Sequence, residues 1–132
     1  MDMVGFHPSG SVPGPFEVHV GFPPSQEVVN RSLVLADTLR ALAPALAPNL
    51  APPQIFKAND PAAGRSDHAS FHERGFAACV CSEDFFAGPA PDSPAPQPNP
   101  NYHKNTDTSV NVNYAADIAR LVAGAVLAAA NA

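Results

Sequence analysis

Basic residues are scarce in this sequence: seven Lys and Arg stand against twelve Asp and Glu, for a formal charge of -5, and no basic cluster occurs. Proteins that bind nucleic-acid backbones release counterions from a concentrated basic patch, so a nucleic acid is not expected as partner. Long hydrophobic runs are missing as well. The longest mostly apolar stretch, Leu121 to Ala130, contains Gly124 and falls short of the roughly 20 residues a bilayer requires, so no membrane partner is expected. The amino terminus lacks the charged-then-apolar layout of a secretory leader. Cysteine is limited to Cys79 and Cys81. Two apart on a strand they would share a face, and such neighbours rarely meet disulfide geometry. Flanked by Phe76, Ala78 and Val80, they read as small buried hydrophobes, with a two-thiol metal site as the alternative. No Gly-x-Ser-x-Gly elbow, phosphate-binding Walker loop, Gly-x-Gly-x-x-Gly fingerprint or Cys-x-x-Cys pair occurs. Serine-hydrolase, nucleotide-binding and thiol-redox functions therefore have no anchor here.

What is present suffices for one domain over residues 1–132, since 45% apolar content can build a core. Met1–Phe6 is an apolar run that reads as a buried strand, and Phe16-Glu17-Val18-His19-Val20 alternates with period two until Pro23-Pro24 stops it. A Gly/Pro loop joins them. From Ser25, a helix cap, Val28, Ser32, Leu35, Leu39 and Leu42 recur at three- and four-residue steps. The spacing predicts an amphipathic helix of about four to five turns, limited by Pro44 and Pro48. Gln54–Lys57 reads as a short strand, Ser66-Asp67 as the cap of a short helix through His72 and Glu73 that ends at Gly75, and Phe76–Cys81 as a buried strand. A last helix is predicted from about Asn113 to Ala130, with Tyr114, Ile118 and Leu121 inward. Alternating strands and helices predict an α/β layered unit with parallel crossovers rather than a sandwich. Between 84 and 100 lie six prolines without periodic apolar pattern, which predicts a semi-extended surface loop.

Asp2 places a carboxylate in an apolar run, where it is costly unless paired, hydrogen-bonded or metal-bound; an exposed strand-end Asp is the plainer alternative. His103 sits between Tyr102 and a Lys-Asn-Thr-Asp-Thr turn. A loop imidazole is a common zinc ligand, with Asp107 available to orient the other ring nitrogen, and also a common solvated residue. His68 and His72 would share a helix face, but the stretch is not His-Glu-x-x-His; packing at the helix start for His68 and partial exposure for His72 are the simpler expectation. Arg65 is free to pair with Asp67 or to present its guanidinium to a substrate.

Gly64-Arg65-Ser66-Asp67-His68-Ala69-Ser70-Phe71-His72-Glu73-Arg74-Gly75-Phe76-Ala77-Ala78, then Asn99-Pro100-Asn101-Tyr102-His103 and Asp107-Thr108, together with Met1-Asp2-Met3-Val4-Gly5, resemble the bacterial leucyl aminopeptidase family. This is the co-catalytic zinc exopeptidase group, with glutamate carboxypeptidase II and the glutaminyl cyclases among its relatives. The resemblance implies a partial zinc-exopeptidase fold, a three-layer α/β arrangement with a mostly parallel mixed sheet flanked by helices, and hydrolysis of amino-terminal peptide bonds by a metal-bound water. It further implies two zinc ions in the complete site, with Asp2 a ligand of one and His103 of the other. Tyr102 is similar to a residue that stabilises the tetrahedral intermediate, Arg65 to a substrate-contacting guanidinium, and Asp67 and Asp107 to residues that orient the site. The family's His-x-Asp ligand segment and Glu-Glu pair would precede Met1, so this chain is expected to be the carboxyl-terminal half of the catalytic domain. Alone it should bind zinc weakly, be inactive, and leave an open sheet edge for the missing half. A glutaminyl cyclase-like acyl transfer, or a non-catalytic truncated fragment, are the alternatives. Any leader would lie upstream, and a secreted or periplasmic location is compatible with the resemblance.

Overall fold

A computed structural model describes residues 1–8 and 13–131. The middle of the Gly/Pro loop expected after the first apolar run, residues 9–12, lies outside the described residues. The elements are β1 (Phe16–His19), α1 (Gln26–Leu46), β2 (Gln54–Phe56), α2 (His68–His72), β3 (Val80–Glu83) and α3 (Val112–Ala130). The strands form one sheet in the order β2-β1-β3, with β1 parallel to β2 and antiparallel to β3. This is an α/β unit, as the alternation predicts, with the mixed sheet flanked by helices that the resemblance implies.

β1 is central, and both its faces are buried. Phe16 and Val18 join Val20 on the side that meets Val29, Ala36 and Leu39 of α1 and Ile118 and Leu121 of α3. Glu17 and His19 point the other way and are equally inaccessible. Ser25 caps α1 by accepting from the Val28 N–H, and Asn111 caps α3 by accepting from the Tyr114 N–H. α1 continues past the expected limit to Leu46, with Pro44 inside it. Pro44 sits on the exposed side of the helix, where the carbonyl it leaves without a donor can meet water.

Two strand expectations are corrected. Met1–Phe6 is not a strand: the Asp2 N–H reaches the Cys81 carbonyl and the Glu83 N–H reaches the Met3 carbonyl, but Met3 turns left-handed at φ 51° and breaks the extended run. Phe76–Cys81 is likewise displaced, because β3 begins only at Val80, where His19 offers a partner. Ala78 is held off the ladder by side chains, its N–H donating to Ser32 Oγ at 3.1 Å and its carbonyl accepting from His72 Nε2 at 2.9 Å. That pairing buries His72, expected to be partly exposed, to 1%. The proline segment 84–100 contains no helix or strand, as its composition predicts. Cys79 and Cys81 are free thiols, and Cys81 belongs to the core. α3 is long and apolar enough to cross a membrane by length and composition alone. Its Tyr114, Ile118 and Leu121 stripe, however, is packed into the core, and Asp117 pairs with Arg120 midway along it.

Candidate functional site

The outer margin of β3, the opening segment and the loop after β2 meet at a narrow cleft of about 70 Å³ that gathers Asp2, Arg65 and Tyr102, with His19 and Ser82 at its floor. Asp2 is exposed, and its Oδ2 accepts a hydrogen bond from Ser66 Oγ at 2.9 Å. Ser66 is therefore occupied with Asp2 rather than with capping α2. Asp67 holds the cap position without a side-chain bond to the helix and lies outside the cleft. Arg65 makes no ion pair with Asp67; its guanidinium lies 5.8 Å from the centre of the Phe86 ring, within cation–π range.

A second recess of about 250 Å³ adjoins the first and shares Met3 and Tyr102 with it. It contains His103, Asp107 and Glu83. Tyr102 stacks on His103 with ring centroids 3.9 Å apart and meets Phe85 edge-on at 4.8 Å. Asp107 accepts from the Asn99 amide at 3.0 Å, so its carboxylate fixes the loop that carries Tyr102 and His103. Glu83 accepts from the Phe6 N–H at 2.7 Å, and burial pushes its carboxyl up to about 7. Met3 and His103, at the two ends of this arrangement, both have left-handed backbones, φ 51° and 58°. Such conformations cost a non-glycine residue about 1 kcal/mol or more and concentrate at functional sites.

Beneath the cleft is a buried group that sequence reasoning missed. His19 Nδ1 lies 2.8 Å from Asp60 Oδ1 and Nε2 lies 3.0 Å from Glu17 Oε2. Asp60 also accepts from the Gly21 and Ala62 N–H groups, and Glu17 from the Phe86 N–H. Burial lowers the basicity of His19, but the hydrogen bonds and charges of Asp60 and Glu17 outweigh it and raise its pKa. Burial likewise raises that of Glu17. Ser82 Oγ stands 3.4 Å from His19 Nε2, so serine, histidine and aspartate are in sequence here. They do not form a nucleophilic triad: a general base needs a lone pair facing the serine, and both imidazole nitrogens face carboxylates. The only trace of this group in the sequence is a pair of polar residues at alternate positions of β1, a pattern that equally describes a strand with one wet face.

Zinc requires three or more protein ligands in a typical site. Among the described residues, no three His, Cys, Asp or Glu side chains converge where a metal could sit. Asp2 lines one recess and His103 the other, so the two are not brought together at one point. The described residues therefore do not fit a complete zinc centre.

The chain is thus a mixed α/β domain that gathers a carboxylate, a guanidinium and a phenol into one cleft at the margin of its sheet. The particular family comes from comparison: the family model described as Peptidase family M28 matches residues 1–126, and the chain belongs to that family. Members of that family are peptidases and are generally zinc-dependent. No curated protein and no solved structure matches the chain.

Proposed function

We propose that the chain forms the carboxyl-terminal portion of a zinc-dependent aminopeptidase active site, with its cleft receiving the peptide. The convergence of Asp2, Arg65 and Tyr102 from three distant segments on one cleft, in a chain of a peptidase family, carries this reading. In it Asp2 and His103 are the ligands this chain contributes, one to each of two ions, and the remaining ligands and the general base come from a His-x-Asp and a Glu-Glu segment upstream. Arg65, supported by the Phe86 ring, holds the substrate carbonyl or a carboxylate. The Tyr102 phenol donates to the oxyanion that develops as the peptide carbonyl becomes tetrahedral. Asp107 keeps the Tyr102–His103 loop in place through Asn99, and Ser66 orients the Asp2 carboxylate. Asp67, away from the cleft, is left to orient groups that approach from the upstream segment.

The test is hydrolysis of an aminoacyl anilide by the chain joined to an upstream segment bearing those motifs, with zinc supplied. Activity that disappears in Asp2→Ala and His103→Ala supports the proposal. A folded, zinc-loaded joined protein with no activity overturns it.

A further inference from the structure

The cleft's wall is built by two arms that leave one residue and meet again. From His19 Nδ1 the first arm passes to Asp60, whose carboxylate also receives the Ala62 N–H, and the turn then continues through the Arg65 N–H, bonded to the Ala62 carbonyl at 3.0 Å, to the Arg65 side chain. From Nε2 the second arm passes to Glu17, which receives the Phe86 N–H at 2.8 Å. The Phe86 ring stands edge-on to the His19 imidazole at 5.3 Å, with Phe56 stacked on the other side at 4.6 Å. The arms close where the Arg65 guanidinium lies over Phe86.

We propose that His19 is a positioning residue: as an imidazolium held by Glu17 and Asp60, it brings Arg65 and Phe86 together as the wall against which the peptide lies. The inference rests on reading the cleft as the substrate site, but its test needs no peptidase activity.

With Glu17 and Asp60 both ionised, each ring nitrogen of His19 must carry a proton to keep its hydrogen bond. Without one of these protons a ring nitrogen turns a lone pair toward a carboxylate, that hydrogen bond is lost, and one arm is released. The charged groups around His19 are Glu17 on β1, Asp60 after β2, His68 on α2 and, facing Glu17, Glu83 and Asp84 at the end of β3. Burial lowers the pKa of His68, and it is His19 that lies between the two carboxylates. Deprotonation of His19 therefore loosens the Arg65–Phe86 contact and leaves the core on the opposite face of β1 intact.

Nuclear magnetic resonance of the nitrogen-15-labelled chain tests this. Both ring N–H groups of His19 should persist to a higher pH than those of a free imidazole, whose pKa is about 6.5. Cross-relaxation between the Arg65 side chain and the Phe86 ring should vanish over the same pH interval in which His19 loses its proton, with the Ile118 and Leu121 methyl signals unmoved. Asp60→Asn and Glu17→Gln, which keep shape and remove one charge each, should shift that interval to lower pH by about one unit or more. A His19 that loses a ring proton at or below the pH at which a free imidazole titrates, or an Arg65–Phe86 contact that outlives the His19 proton, overturns the proposal. So does an unchanged interval in both variants.

Discussion

Gly21 gives Asp60 room to reach His19. A Cβ at Gly21 would stand 2.2 Å from Asp60 Cβ, a separation no side chain tolerates, and Asp60 would have to withdraw from both the Gly21 N–H and His19. Gly21→Ala should therefore cost at least about 2–4 kcal/mol, read as a lowered midpoint in denaturant unfolding, by leaving buried charge without its partner. Glu83 makes a pH-dependent prediction. Its folded-state pKa of about 7 lies above the ordinary 4.5, so the folded chain binds more protons between those values. Stability from this carboxyl is complete below about pH 4.5 and is lost as pH rises through about 7. Glu83→Gln should remove that loss, so its stability relative to the parent should rise between about pH 5 and pH 8 by up to about 3 kcal/mol. A difference flat with pH would contradict the assignment. Tyr102→Phe in the joined, active protein should lower kcat by roughly 10²-fold with little change in KM, as for loss of one oxyanion donor. Asp2, Arg65, Tyr102 and His103 stood out in the sequence because their neighbours form motifs. Glu17, His19 and Asp60 did not, because their meaning depends on which face of β1 is covered, and the Asp60 turn that covers it is distant along the chain.

At the scale of elements, periodicity and caps carried the reading. α1 follows from its apolar stripe and the Ser25 cap, α3 from its apolar stripe alone, and β1 from strict alternation, whereas the Asn111 cap of α3 is seen only in the structure. The failures lie where side chains or pairing override local pattern. Val80 opens β3 because His19 is opposite it and Ser32 and His72 hold Ala78 away, none of which composition records. Met1–Phe6 is apolar enough for a strand, yet the left-handed turn at Met3 ends it. Ser32 links α1 to this junction, donating to the Val28 carbonyl at 2.8 Å while accepting the Ala78 N–H. Ser32→Ala leaves that half-buried N–H without its partner, so a loss of about 1 kcal/mol is expected in thermal or denaturant unfolding. Ile118→Ala, at the fully buried contact between α3 and the sheet, should cost about 2–5 kcal/mol.

The whole molecule joins a well-packed half to a bare margin. Helices α1 and α3 close one face of the sheet, while an apolar groove of about 370 Å³ runs beside Cys79–Cys81 between Leu39 and Val126. Met1, Phe71 and Val126 on that groove are each more than half exposed. His68 adjoins it with neither ring nitrogen hydrogen-bonded, though only 4% of the residue is accessible. Such a margin is what a domain shows when further strands and a polar partner belong beside it, in keeping with the proposed upstream half. The ligand count makes the same point, since Asp2 and His103 stand in neighbouring recesses and no three ligating side chains converge among the described residues. Zinc titration by calorimetry, run on this chain and on the chain joined to the upstream segment, tests that division of the site most directly. The account predicts no stoichiometric tight binding by the chain alone and two ions bound by the joined protein, both weakened by Asp2→Ala or His103→Ala; stoichiometric tight binding by the chain alone would contradict it.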